Sequence, residues 1–473
     1  MPENRQAESS RNIELHYYRF PASQPSGRAP VFVLPGGPGG YFDDDAAEFL
    51  QSELDDPDSA AAVFRAQRDV VLVNQRGARK PDRRYQYFGF LIPPAPLDEP
   101  FSAEDYRAAL QKAAQASIEN WKGQGVDVSG YDIMNMVEDV DDLREGLGYE
   151  RVLLRGTSFG SQWSFAYMQA YPERVDRAVL GGTEPIDYGY DSPQSIWHVF
   201  ERLEQRLNEA KQHDPDLGYS QLPLTDAIKQ IVQRLAEEPV QVEVQPPRSS
   251  SPKQVTLGVE DFQRHLRSGI GARRETPGSL ENFPKFIFEI LDGDYRFLAA
   301  KVAAGRVGFN GASLQALSID NSLGISAARD QQLDQEPARA WVGELNLAYK
   351  ATRAATPSPV VPDTFRTLTS DTPILLVHGD LDLSTPIENA EAALETLSNA
   401  HLIRVPGGTH GAFDQLSRDS EAFRKILREF LAADFQEDQR VESLGLPAEM
   451  PLEPLQFAPQ GDPSLYEQQS EGR

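Results

Sequence analysis

Residues 152–160 read Val-Leu-Leu-Arg-Gly-Thr-Ser-Phe-Gly. A short apolar run enters a Gly-x-Ser-x-Gly turn, and a helix-like stretch follows. That strand, sharp turn and helix form a nucleophile elbow. Only small side chains fit at Gly156 and Gly160, and the turn lifts the Ser158 hydroxyl clear of the backbone. The positive end of the following helix lies next to it. One such pentapeptide is a weak signal, because Gly and Ser are common. Its weight comes from three further segments.

A serine hydroxyl needs a base to take its proton and an acid to orient that base. Downstream, Thr372–Val377 reads as a buried strand and runs into His378-Gly379-Asp380-Leu381-Asp382. Asp380 and Asp382 are both near its end, where open α/β sheets place active sites. Leu402-Ile403-Arg404-Val405 reads as one more strand. It leads into Pro406-Gly407-Gly408-Thr409-His410-Gly411, a loop supple enough to turn His410 back toward Ser158. Upstream, Val31-Phe32-Val33-Leu34 precedes Pro35-Gly36-Gly37-Pro38-Gly39-Gly40. A glycine-rich loop after an early strand can point bare N–H groups at a developing oxyanion. Gly37 is the first choice for that donor, then Gly36, and the N–H of Phe159 supplies the other.

These segments, with Asn74-Gln75-Arg76-Gly77, stand in an order that resembles the proline iminopeptidase (prolyl aminopeptidase) family of α/β-hydrolases, in its longer, tripeptidyl-aminopeptidase-like branch. The resemblance covers roughly residues 12–433, and its motifs lie in the core. It implies a mostly parallel central sheet flanked by helices, with a large, mainly helical cap. It implies a Ser158–Asp382–His410 triad, because the family spacing before Thr-Pro selects Asp382 over Asp380. It also implies release of N-terminal residues through an acyl-enzyme, without a cofactor. There are departures. Pro35 stands where the family often has His, Asn74 replaces an Asp, and Arg155 precedes the elbow where a smaller or aromatic residue is usual.

Exopeptidase selectivity needs a carboxylate for the substrate ammonium. Glu184, after a core strand at the cap entrance, is the first candidate, and Asp187, Glu281 and Asp330 are weaker ones. Arg76 reads as structural, bridging carbonyls or a carboxylate to hold the oxyanion loop. His378 directly follows a strand and reads as structural too. His16, His198, His213, His265 and His401 have no catalytic partner in sequence. An esterase or other small-molecule acyl hydrolase with the same triad is the alternative function. A non-catalytic binding protein is a third reading, against which the complete triad argues.

The chain of 473 residues is long enough for a core and an insertion. Core strands are expected at 13–18, 31–34, 69–73, 152–155 and 177–181, with helices at 102–121, 133–147 and 419–433. The core comprises 1–185 and 369–435, the cap 186–368, and 436–473 is an irregular, acidic and Pro-rich tail. Within the cap, Thr225 is the expected N-cap of a helix. A hairpin joins Val240–Val244 to Gln254–Leu257 through a loop at 246–252. The absence of cysteine excludes disulfides and thiol chemistry. No HExxH-like spacing suggests a metal. A net charge of −26 argues against nucleic acid or anionic membrane as partner, leaving a peptide or small acyl substrate. No run of eighteen apolar residues occurs and the N-terminus lacks an apolar signal core, so a cytoplasmic protein is expected.

Overall fold

The computed structural model describes residues 1–56, 59–77, 89–91, 95–245, 251–267, 277–307, 310–435 and 439–471. Seven strands build the central sheet: β1 (Tyr17–Phe20), β2 (Val31–Leu34), β3 (Val70–Val73), β4 (Val152–Thr157), β5 (Val175–Gly181), β6 (Ile374–Gly379) and β7 (Ala400–Val405). Their spatial order is β1-β3-β2-β4-β5-β6-β7. Only β1 is antiparallel, against β3, and the other neighbours are parallel. The first strand lies later in sequence than the expected 13–18. Its partner β3 is four residues long, and its register pairs Tyr17 with Val73 and Phe20 with Val70. Pairing length, rather than local apolar content, sets the strand.

Strand side chains alternate between the two faces. Phe32, Leu154, Leu180 and Leu376 pack with Ile133, Val137 and Val140 of α2 (Ile133–Gly146) and with Phe165 of α3 (Phe159–Ala170). The intervening Val31, Leu153, Val179 and Leu375 face the opposite layer, where they cluster with buried residues of the two C-terminal core helices, Ala412–Asp419 and Glu421–Ala432. Burying both faces explains why these strands are apolar runs and not alternating patterns.

Parallel register brings the strand ends level. Leu34 pairs with Gly156, Thr157 with Gly181, Gly181 with Val377, and Gly379 with Val405. The loops leaving β2, β4, β5, β6 and β7 therefore open along one edge.

Between β5 and β6 lies a mainly helical stretch with its own hydrophobic cluster. Phe200 and Leu203 of α4 (Pro193–His213), Ile228 and Ile231 of α5 (Leu224–Glu237), and Phe286 and Ile287 of α6 (Phe283–Leu291) share it. Leu381 and Leu383 of the acid loop join this cluster and key the helical layer to the site edge. Further along come α7 (Leu314–Leu323) and α8 (Leu347–Arg353). Helix α5 starts at Leu224 behind Pro223, so Thr225 is not the N-cap. Its hydroxyl donates to Glu204 instead (2.8 Å). The strands Val240–Val244 and Lys253–Leu257 pair antiparallel, and residues 246–250 of their expected loop lie outside the described residues.

The C-terminal stretch from 439 is largely irregular but closely packed. Leu452 donates its N–H to the Pro406 carbonyl (3.0 Å), while Leu455, Phe457 and Leu465 enter the helical cluster. It thus spans from the histidine loop to the helical layer.

Candidate active site

Ser158 stands between β4 and α3 with φ 59° and ψ −134°, the sole positive-φ non-glycine among the described residues. Such strain persists only where the surroundings over-determine it. Here the Ser158 N–H donates to the Gly181 and Gly182 carbonyls (both 3.1 Å). A Cβ on Gly156 would lie 2.2 Å from the Gly160 carbonyl oxygen, and one on Gly160 would lie 2.1 Å from that of Leu34. Both elbow glycines are therefore steric necessities.

The loop after β2 lies against Ser158. A Cβ on Gly36 would come within 3.3 Å of Ser158 Cβ and 3.8 Å of its Oγ. Gln75 clamps this loop, donating from Nε2 to the Pro35 (3.1 Å) and Gly36 (3.0 Å) carbonyls and accepting the Gly39 N–H (2.6 Å). Asn74 does the same for Phe42, accepting its N–H (2.6 Å) and donating to its carbonyl (2.9 Å). Arg76 acts elsewhere than expected. It pairs in two-pronged fashion with Asp139 (2.8 Å each) and donates to the Glu3 (2.5 Å) and Gly130 carbonyls, fastening the N-terminal segment. The amides, and not the guanidinium, hold the glycine loop. Phe159 begins α3, so its N–H is a first-turn donor without an intrahelical acceptor.

Asp382 is fully buried. Its Oδ1 accepts the N–H groups of Ser384 (2.8 Å) and Thr385 (2.9 Å). Its Oδ2 accepts the Thr385 hydroxyl and His410 Nδ1 (2.9 Å each). Burial pushes its pKa up, but the His410 charge and the hydrogen bonds from His378 and His410 outweigh this and hold it well below the usual carboxylate range. Asp380 serves another end. It accepts the Gly407 N–H (2.8 Å) and pairs with Arg206 of α4 (3.2 Å). A Cβ on Gly379 would sit 2.3 Å from the Gly408 carbonyl oxygen, which is how the acid and histidine loops come so close.

His410 leans on Gly182, where a Cβ would meet its Cε1 at 2.7 Å. The same Gly182 carbonyl takes the Ser158 N–H, so one residue separates the Ser158 backbone from the His410 ring. With Nδ1 held by Asp382, the other ring nitrogen, Nε2, is left to carry the lone pair. Arg155 braces the two sides. It donates to the Gly156 carbonyl and Thr157 hydroxyl (2.7 Å each) and stacks over Phe413 (3.7 Å), three residues beyond His410. Burial lowers its pKa to about 10.

Glu184 lies beside these groups. Its pKa is raised to about 8, first by burial and then by Asp191. Asp320, on α7, is raised well above its usual range by burial and then by Glu184 and Asp191. All three carboxylates keep part of their surface open. Arg267 pairs with Asp191 (2.6 Å) and donates to the Leu383 carbonyl (3.1 Å). It also lines a 660 Å³ cavity with Phe101, Tyr106, Arg264 and His265, into which no triad residue projects. The weaker anchor candidates have other partners. Asp187 accepts from Ser326, Glu281 from the Gln456 N–H, and Asp330 pairs with Lys350. Asp191 and Asp320 escape a motif reading. Leu314–Leu323 mixes apolar and polar residues evenly, so no local pattern singles out Asp320.

Residues 29–415 match the profile described as the alpha/beta hydrolase fold. The chain belongs to the α/β-hydrolase family. Solved structures similar to this α/β-hydrolase include an esterase from Exiguobacterium antarcticum (14% identity, TM-score 0.34, covering 89% of this chain and 96% of that one). A malate-bound esterase from Thermogutta terrifontis (15%, 0.35, 91% and 97%) and an inhibitor-bound Bacillus megaterium epoxide hydrolase (14%, 0.33, 89% and 97%) are others. Among the described residues of this hydrolase, no helix is long and apolar enough to cross a membrane, and no cluster of three or more His, Cys, Asp or Glu is placed to hold a metal ion.

Proposed function

We propose that this hydrolase is a serine aminopeptidase of the proline iminopeptidase type, releasing N-terminal residues from peptides. The observation that carries the reading is the convergence of Glu184, Asp191 and Asp320 beside His410 and Asp382. In a poorly solvated space beside Asp191, Glu184 and Asp320 resist ionisation. Arg267 offsets Asp191. A substrate ammonium is the ligand that offsets another, and a peptide's free amino terminus carries it next to the scissile carbonyl. An ester substrate without a cation gains nothing from this cage.

In this mechanism Ser158 Oγ attacks the carbonyl carbon while His410 Nε2 takes its proton. The N–H groups of Gly37 and Phe159 receive the oxyanion, with Gly36 alongside. Each such donor contributes about 2.7–4 kcal/mol. Asp382 stays ionised and stabilises the imidazolium. The C–N bond breaks as His410 returns the proton to the leaving amine. Water, deprotonated by His410, then cleaves the acyl-serine and restores the hydroxyl.

The test is a hydrolysis panel with Ser158→Ala as control: free-amine and N-acetyl aminoacyl anilides, tripeptidyl anilides, and short p-nitrophenyl esters. Cleavage of free-amine anilides, lost on acetylation and in the variant, is the expected result. Ester cleavage alone moves the function to a small-molecule acyl hydrolase.

A further inference from the structure

His378, near the end of β6, is fully buried and breaks the apolar run Ile374–Val377. A buried polar ring costs free energy unless both nitrogens are satisfied. Here they are, by two different loops. Nδ1 accepts the Thr183 N–H (3.1 Å), so the ring proton is on Nε2. Nε2 lies 2.6 Å from the Thr385 carbonyl oxygen and 3.3 Å from Asp382 Oδ2.

Those two attachments are not interchangeable. Thr385 holds Asp382 by its N–H and hydroxyl. Thr183 stands between Gly182, which supports Ser158 and His410, and Glu184, whose own N–H donates to Ser161 Oγ (2.9 Å). A rigid five-membered ring fixes the distance between the two loops as a flexible side chain cannot.

We propose that His378 is a positioning residue that couples the triad acid to the turn carrying the amine anchor. Its Nε2–H, hydrogen-bonded to the Thr385 carbonyl and 3.3 Å from Asp382 Oδ2, sets Asp382, and its Nδ1 sets Glu184 through the Thr183 N–H. The Glu184 half rests on the aminopeptidase reading above, whereas the Asp382 half holds for any acyl substrate.

Two substitutions separate the halves. In His378→Asn the side-chain oxygen takes the place of Nδ1 and can still accept from Thr183, but nothing reaches Asp382. In His378→Gln the amide nitrogen reaches the place of Nε2, but no acceptor remains for Thr183. Both are assayed on a p-nitrophenyl ester and a free-amine anilide, with thermal melting to establish folding. The expected result for His378→Asn is a kcat about 10- to 100-fold lower on both substrates, the cost of misplacing a catalytic group by about 1 Å, with the anilide KM little changed. For His378→Gln it is a raised anilide KM with a much smaller loss of ester kcat. Folded variants that lose kcat and KM in the same proportion, or match the wild type, overturn the proposal. A wild type that cleaves esters but does not prefer free amines overturns the aminopeptidase reading alone, and the ester kcat of His378→Asn then still decides the Asp382 half. Should neither variant fold, ring-¹⁵N-labelled wild type gives the answer. A coupling between the Thr183 amide and His378 Nδ1 is expected, and an Nδ1-protonated tautomer overturns the proposal.

Discussion

The acid loop after β6 and the turn after β5 each set a carboxylate in the interior near His410, with opposite outcomes. Burial pushes up the pKa of both. Asp382 receives two backbone N–H groups, a hydroxyl and an imidazole, and ends well below the usual range. Glu184 faces Asp191 and ends at about 8. Depth alone therefore does not decide a buried acid's charge; the donors around it do. The first loop is built to keep an anion, whereas the second sets its carboxylate beside another acid.

The largest effect tests the chemistry common to both sides. Ser158→Ala should lower kcat by about 10⁵–10⁶-fold on every substrate, since removing a triad serine alone costs about as much as removing all three members. Retained turnover in the folded variant would break the site assignment. Next, Asp382→Asn should cost about 10⁴-fold in kcat through the wrong His410 tautomer. Asp380→Asn should cost about fivefold at most, because it loses a partly exposed pair with Arg206 worth about 1 kcal/mol or less. Equal losses at 380 and 382 would erase the distinction between the two acids.

Smaller and more selective, Glu184→Gln should raise KM for free-amine anilides about tenfold or more and leave N-acetyl substrates nearly unchanged. Removing a group that binds ground and transition states alike raises KM. In the wild type, KM for free amines should fall as pH rises toward about 8, where Glu184 ionises. Above that pH the substrate's α-amino group, with a pKa of about 8, loses its own charge.

The smallest effect is on stability. Below the ordinary Glu pKa of 4.5, Glu184 is protonated in both folded and unfolded chains. Between 4.5 and about 8 the folded state keeps a proton the unfolded chain has released, so stability falls as pH rises through that window. Glu184→Gln should therefore melt a few degrees above wild type at pH 9 and at the same temperature at pH 4.5. A gain independent of pH would mean that Glu184 is not the strained acid.

The elbow, glycine loop, acid loop and histidine loop were legible because each is a local steric or chain-order pattern. Gly156 and Gly160 can be nothing else where backbones approach this closely, so the constraint is written at two fixed offsets from Ser158. Asn74 and Gln75 are legible as a motif but not as a clamp, a role the sequence suggests for Arg76 instead. Which backbone a side chain reaches depends on the loop opposite, and no spacing encodes that. The β1 register and the start of α5 shifted for the same reason, since β3 and Pro223 impose limits from outside the segment itself.

By itself, then, the sequence determined a wound sheet with Ser158, an acid at 380 or 382 and His410 beyond strand ends, because neighbouring residues and strand order suffice for that, while the choice of Asp382 came from the family resemblance. Only the tertiary structure decided that Asp191 and Asp320 join Glu184, and that His378 spans two loops. Asp320 lies more than a hundred residues beyond Glu184 and Asp191, and His378 lies 195 beyond Thr183; burial first, and then the fields of neighbouring carboxylates, shift Glu184 and Asp320. A field between side chains exists only once the chain has folded and displaced the water that would screen it.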